Sequence, residues 1–310
     1  MISKIDKKVV IAKDLKELLS EKSDMVVVDL LPPEHFSKVH IPNAKNVCVF
    51  FVSFLEDLAV VVPDKLSQVV VYGSSIRSRD ITIAGEKMSR AGYQNILYLE
   101  GGLEEWREAG FALDGDAVNL PDDPQTTLSL NDGRYIAEST LSQLEWVGRN
   151  PNSRHMGTVD IAKGVVEILD GKISGLIEVD MNSIHNTNLE GDELQPVLEA
   201  HLRSDDFFFT PMFPKAVFDF KGANLNGSGW LTAPNFHVKG QLTLRGITAP
   251  LEFDAVVNSI DDDSIALEAH FDIDRTCWDI IYGSTRFFEH LGMHKVFDLV
   301  SLQLYIVATR

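Results

Sequence analysis

Up to Leu113 the chain alternates short, wholly apolar runs with stretches of helical spacing. Met25–Val28, Gln68–Tyr72 and Asn95–Leu99 are rich in β-branched and apolar residues at consecutive positions, the pattern of strands covered on both faces. Around them helices are expected at about Asp14–Ser20, Val52–Leu58, Asp80–Ala91 and Leu103–Ala109. Such alternation predicts an α/β unit with a parallel sheet and flanking helices.

From Ala112 to Asn131 apolar periodicity stops and Gly-Asp, Pro-Asp-Asp-Pro and Asn-Asp-Gly turn formers take over, predicting a linker. Beyond it the rhythm changes to period two. Phe236, Val238, Gly240, Leu242 and Leu244 alternate with polar residues; Leu251–Val257, Ile265–Ile273 and Val300–Ala308 follow the same rule. These are half-buried antiparallel strands, interrupted by one helix at Asp192–Arg203 with Pro196 near its start. Strands of this kind hide their apolar faces by pairing two sheets or closing a barrel, whose interior either fills with side chains or holds one slender ligand. The expected division is residues 1–113, a linker at 114–131, and 132–310.

Composition narrows the function classes. The 28 basic and 46 acidic residues leave a net charge of −18, a field that repels phosphate backbones and anionic lipid headgroups, so nucleic acid is not expected as a partner. No apolar run reaches the ~20 residues of a membrane helix, so no membrane span is expected. Charges among the first ten residues interrupt what would be the apolar core of an export signal, and a cytoplasmic location is expected. The only cysteines, Cys48 and Cys277, fall in different halves, which argues against a disulfide framework and suits a reducing compartment.

Three segments of the first half, Val27–Asn46, Val69–Arg79 and Ala91–Gly110, carry a His-Ile-Pro-x-Ala-x-Asn turn and a Gly-Gly-x-x-x-Trp ending. Over Lys8–Leu113 the chain thereby resembles the rhodanese family, whose active members place a Cys directly after the central strand. Here Gly73 follows Tyr72, and the loop Gly73, Ser74, Ser75, Ile76, Arg77, Ser78, Arg79 contains no cysteine. Cys48, flanked by Val47 and Val49, reads as a small core residue rather than a substitute. Neither Ser74 nor Ser75 has a recognisable base partner. The resemblance therefore implies a module without sulfurtransferase activity. Its seven-residue loop is a candidate anion site through backbone N–H groups flanked by Arg77 and Arg79, the alternative being two solvated arginines.

In the second half Ser142–Arg149, His155–Val159, Glu178–Ile184, His201–Phe208, Gly240–Thr248 and Asp274–Ser284 occur in order. Over Arg134–Thr309 the chain resembles the YceI-like family, which implies an antiparallel lipocalin-like barrel and, as ligand, an isoprenoid or other long lipid chain. The bulky residues expected to line such a lumen are Trp146, Phe207, Phe208, Phe218, Phe220, Phe236, Trp278 and Phe287, any of which could instead be ordinary core. The Phe287–His294 segment is expected near the mouth, as a lid or a plug. His290 and His294 have a spacing that would share a helix face, but the H-E-x-x-H order is absent, Gly292 weakens a helix there, and no metal is expected. Asp274 and Arg275 are expected to form a local ion pair.

The expected protein is therefore a non-catalytic two-domain binding protein without cofactors. Its barrel would take an apolar small molecule, isoprenoid or fatty-acid-like, and its inactive rhodanese-like domain would recognise a protein or an anion. Two alternatives stay open: a sulfur- or phosphoryl-transfer enzyme using the Ser74–Arg79 loop, and a structural or interaction module whose barrel fills itself.

Overall fold

The computed structural model describes residues 8–21, 25–118, 128–225 and 231–310. The chain divides into two compact units, Met1–Asp122 and Asp123–Arg310. The middle of the expected linker, residues 119–127, lies outside the described residues. Its ends belong to the flanking units: Asp114 pairs with His40 and Val118 packs on the first core, whereas Leu128 and Leu130 pack on the second.

The first unit is a five-stranded parallel sheet of β1 (Lys8–Val10), β2 (Val26–Asp29), β3 (Lys45–Asn46), β4 (Gln68–Tyr72) and β5 (Asn95–Leu99), in the order β1-β5-β4-β2-β3. The central strand explains its own composition. Val69 and Val71 face α3 (Phe54–Val61) and α4 (Asp80–Arg90), while Val70 and Tyr72 face α1 (Ala12–Glu21) and α5 (Gly102–Glu108). All four strand residues are fully buried, so neither face tolerates a polar side chain. One helix escaped the apolar pattern: α2 (Pro33–Lys38) buries none of its residues and starts on a proline, which its first turn accepts at no hydrogen-bonding cost.

The loop after β4 is tied to α5. The N–H groups of Leu103 and Glu104 donate to the carbonyls of Gly73 and Ser74 at 2.9 and 3.0 Å. Gly102, with φ +62°, makes that approach feasible, because a Cβ there would stand 2.6 Å from the Gly73 carbonyl oxygen. Gly102→Ala is therefore expected to lower the urea midpoint of the first unit. The left-handed backbone alone costs a non-glycine residue about 1–2 kcal/mol, before the clash. An unchanged midpoint would refute this account of the loop.

The second unit is a closed barrel. Its strands are β6 (Gly133–Ala137), β7 (Gln143–Arg149), β8 (Arg154–Leu169), β9 (Lys172–Asn186), β10 (Lys215–Leu225), β11 (Phe236–Leu244), β12 (Ile247–Ser259), β13 (Ser264–Asp274) and β14 (Leu299–Thr309), with α6 (Gln195–Arg203) between β9 and β10. Every neighbouring pair is antiparallel, and β13 against β14, from Ser264↔Thr309 to Asp274↔Leu299, closes the ring. The short strands β6 and β7 share one place in it, pairing with the two halves of β8 and of β14, so eight positions surround the lumen. Buried Ser142 bridges the break between them: its hydroxyl oxygen accepts from the Val307 N–H at 3.2 Å and donates to the Val307 carbonyl at 3.3 Å.

The period-two stripes read from the sequence face inward. Ile265, Leu267, Ala269 and Ile273 on β13 and Leu304, Ile306 and Ala308 on β14 are all buried. At one end of the barrel the lumen is packed solid. Tyr135, Ile173, Phe220, Phe236, Val257 and Ala308 meet there with almost no exposure. The opposite end is built differently.

Candidate functional site

At the end where β7 finishes and β8 begins, the lumen opens into a cavity of about 340 Å³, within the range of small-molecule sites. Its wall is aliphatic and aromatic. Leu144, Val179, Ala216, Leu242 and Leu302 line it and also line a smaller recess of about 60 Å³ beyond, whose floor is Phe218, Phe253 and Phe271. Phe253 stacks on Phe271 at 4.1 Å between centroids, and Phe218 lies 5.6 Å from Phe253. The barrel is thus half filled by its own side chains and half hollow.

The expected lining residues separate along the barrel axis. Trp146, Phe207 and Phe208 border the cavity, and Phe218 borders the recess. Phe220 and Phe236 lie in the packed end. Trp278 is buried, its indole N–H donating to the Leu242 carbonyl at 2.8 Å. Phe287 is exposed. The Phe287–His294 segment flanks the mouth, reaching the cavity only with Met293 and His294. It is not a helix carrying two imidazoles. His290 has φ +58° and an exposed side chain, and His294 Nδ1 is 3.2 Å from the Tyr282 hydroxyl.

The mouth is held by two charged assemblies. The first fastens α6 over the opening, where Leu198, His201 and Leu202 reach the cavity. Glu199 accepts from the Asn186 N–H at 2.8 Å and faces His185 Nδ1 at 3.1 Å, and Arg203 donates to the Ile184 carbonyl and to Glu199 at 3.4 Å. Burial pushes the Glu199 carboxyl up, but the Asn186 N–H, Arg203, Gln195 and His185 outweigh it and hold Glu199 below the ordinary 4.5. The folded state then binds fewer protons than the unfolded chain at acid pH. The stabilisation from Glu199 is complete above about pH 4.5 and is lost as pH falls through the lowered value. Glu199→Gln is expected to cost about 1.5–3 kcal/mol at neutral pH and to flatten part of the acid loss. Thermal melts of the barrel between pH 3 and 7 measure both, and parallel curves for the two proteins would contradict this role.

The second assembly corrects the expected ion pair. Asp274 is the last residue of β13 and Arg275 begins the 3₁₀ turn that follows; the Asp274 carboxylate caps that turn by accepting from the Thr276 N–H at 3.1 Å and is bound by Arg286 at 2.6 Å rather than by Arg275. Arg275, buried, turns into the protein. Its guanidinium donates to the carbonyls of Phe297, Ile280, Tyr282 and Val296, and lies 3.7 Å from Asp298. It also sits 6.0 Å from the Phe207 ring centroid, in the cavity wall.

In the first unit the Gly73–Arg79 loop lies at the carboxyl end of the central strand, where open α/β sheets form their binding crevices. Its interior is taken by the protein's own carboxylate. Asp80, buried, accepts from the Ser74 N–H at 3.2 Å and from the Ser74 hydroxyl at 3.4 Å. A Cβ on Gly73 would lie 2.4 Å from Asp80 Oδ2. The Arg77 N–H donates to Ser75 Oγ at 3.3 Å, the Arg77 guanidinium binds Glu104 at 2.6 Å, Ile76 and Arg79 are exposed, and Ser78 is half-buried. Cys48 is buried and Cys277 exposed, both free. The family motifs are occupied with structure: the Tyr72 hydroxyl accepts from the Ile41 N–H at 3.0 Å, and Asn46 donates to the Leu31 carbonyl at 2.8 Å. At the end of β2, burial pushes the Asp29 carboxyl up despite the Leu31 N–H it accepts.

Residues 135–308 match the model of the YceI-like domain, and residues 11–109 that of the Rhodanese-like domain. A UPF0312 protein of Shewanella denitrificans is 30% identical over 141 residues, which cover 45% of this chain and 63% of that relative. The chain thus spans less than two thirds of that relative's length. Among solved structures, BcnA of Burkholderia cenocepacia is similar at 18% identity and a TM-score of 0.44, covering 56% of this chain and 99% of its own. A polyisoprenoid binding domain from Saccharophagus degradans is similar at 16% identity and a TM-score of 0.41, covering 56% and 97%. The BH2092 protein of Bacillus halodurans is 22% identical with a TM-score of 0.33, covering 36% and 79%.

Proposed function

The chain belongs to the YceI-like domain family, and from that premise we propose that it is a two-domain binding protein whose barrel carries a long apolar molecule of isoprenoid or fatty-acid type. The observation that carries this reading is the cavity of about 340 Å³ with its aromatic recess. A barrel meant only as a scaffold would fill both ends alike; here one end is packed and the other is walled with leucine, valine and phenylalanine around open space. Each methylene buried in such a site contributes about 0.8 kcal/mol, so a chain of a dozen carbons binds without any ionic contact.

The Rhodanese-like domain serves recognition rather than catalysis in this reading. The Asp80 carboxylate occupies the hydroxyl and N–H of Ser74, and no thiol stands in the loop. Any anion recognised there would meet the exposed face of Ser75 to Arg79 and not the inside of the loop. The two unpaired cysteines suit a cytosolic protein.

Titration of the full chain with a fluorescent fatty acid tests the barrel, with saturation at one equivalent expected. A thiosulfate and cyanide assay tests the first domain. Turnover that falls on Ser74→Ala substitution would overturn the non-catalytic reading in favour of an enzyme using the Ser74–Arg79 loop.

A further inference from the structure

The polar part of the cavity wall gathers at the mouth, and its titratable side chains other than Tyr282 are basic. None of the described residues lining the cavity is Asp or Glu, in a chain with 46 acidic residues, whereas Arg149, His155, His201, Arg275, His294 and Lys295 all border it. Most of these groups are already engaged. Arg149 donates to the Ser301 hydroxyl at 2.8 Å, His201 binds Asp206 at 3.0 Å, His294 meets the Tyr282 hydroxyl, and Arg275 is bound to backbone carbonyls.

Two groups stand apart. His155 opposes Gly148 across β7 and β8, and it is followed along the inward face of β8 by Gly157 and buried Val159. Its Nδ1 is buried and has no hydrogen-bond partner among the described residues. Lys295 is exposed at the rim and makes no salt bridge among the described residues. It lies two residues before Phe297, whose N–H donates to the Arg149 carbonyl at 2.9 Å, so the rim segment that carries it runs beside the end of β7.

We propose that the barrel takes an amphiphile with an anionic oxygen headgroup, a carboxylate or a phosphate, and that His155 and Lys295 receive this headgroup at the mouth while the tail runs inward. The inference rests on the barrel reading above and adds charge and orientation to it. A headgroup cannot sit at the other end, because the recess floor of Phe218, Phe253 and Phe271 offers no hydrogen bond and burying an unpaired charge there is prohibitive. At the mouth His155, which lines the cavity and has no hydrogen-bond partner for its Nδ1 among the described residues, offers a ligand oxygen an imidazole N–H to accept from. Charge-assisted bonds of this kind are roughly twice as strong as neutral ones. No Asp or Glu is among the described residues lining the cavity, and the carboxylates nearby are paired, Asp206 with His201, Glu199 with Arg203 and Asp298 with Arg286, which limits the repulsion they impose on an anion.

Binding of four probes with the same sixteen-carbon tail to the full chain, each below its micelle concentration, tests this: palmitate, hexadecyl phosphate, hexadecanol and hexadecyltrimethylammonium. Both anions are expected to bind at least about tenfold tighter than the alcohol, with the cation weakest. The order of the two anions identifies the headgroup. His155→Leu and Lys295→Met are each expected to lower the palmitate-to-hexadecanol affinity ratio at least about threefold, and His155→Gln, which keeps a side-chain N–H, less so. Lys295→Met, at an exposed position, carries the test if His155→Leu does not fold. Equal affinities for palmitate, hexadecyl phosphate and hexadecanol overturn the inference and leave the barrel reading intact. Failure of all four probes to saturate overturns the barrel reading itself.

Discussion

Ala216→Trp is expected to lower the affinity of the barrel for a sixteen-carbon chain about a hundredfold. Ala216 projects from β10 into the wall shared by the cavity and its recess, and it is buried. An indole there occupies the passage between them and shortens the tail that can enter. Excluding about four methylenes at about 0.8 kcal/mol each removes about 3 kcal/mol, and every 1.4 kcal/mol is tenfold. A larger side chain in a well-packed core costs about 1–3 kcal/mol of stability, but here the added ring enters open space, so the cost falls at the low end. Isothermal titration and a thermal melt on the same sample separate the two effects. Undiminished affinity in a folded Ala216→Trp protein would place the ligand elsewhere.

Arg275→Met is expected to destabilise the barrel by about 3–5 kcal/mol, the cost of removing one partner from a buried charged network. The guanidinium joins Ile280 and Tyr282 on one side of the mouth to Val296 and Phe297 on the other, with Asp298 beside it. Methionine fills the space and leaves those carbonyls without donors, each a buried polar group that must be satisfied. Lysine would not rescue the loss, since a single ammonium cannot reproduce the planar fork. For a unit of this size the melting temperature should drop on the order of 10 °C. Because the two units need not melt together, the signal should come from the barrel, for example Trp278 fluorescence. A melting temperature within a degree or two of wild type would remove Arg275 from the account of the mouth.

How far the sequence announced this structure depended on whether a physical constraint acted along the chain or across it. Strands such as Val69–Tyr72 are buried on both faces, and that needs no partner to be read. The stripes from Phe236 onward show because one face is wet. On β8 and β9 register shifts at Thr158/Asp160 and Ile161/Lys163 break the alternation: the buried positions run Gly157, Val159, Ile161 and then Gly164, Val166, Ile168 on β8, and Ile177, Val179, Met181 and then Ile184, Asn186 on β9. There only the family resemblance identified strands. The helix Pro33–Lys38 buried nothing and so left no periodic trace.

The site was legible in kind and not in place. Aromatic residues were expected in the lumen, but bulk does not report depth along the barrel axis. Trp146 and Phe207 reach the cavity, whereas Phe220 and Phe236, equally bulky, sit at the packed end because of where their strands begin and end. The aliphatic residues that join cavity to recess, Leu144, Val179, Ala216, Leu242 and Leu302, look like ordinary core until the register is known. Asp274 and Arg275 are adjacent in sequence, but Asp274 ends β13 and caps the 3₁₀ turn that Arg275 begins, so adjacency pointed to the wrong partner. Asp80 could have been suspected from its place at the first turn of α4, where a carboxylate meets free N–H groups.

Native mass spectrometry of the full chain, loaded with a saturated fatty acid of sixteen carbons and sprayed from volatile buffer, tests the central claim most directly. The account predicts one bound chain per protein, retained at collision energies that strip surface adducts, and its loss in Ala216→Trp. A spectrum showing only the unliganded mass at saturating fatty acid, or the same adduct in both proteins, would contradict it.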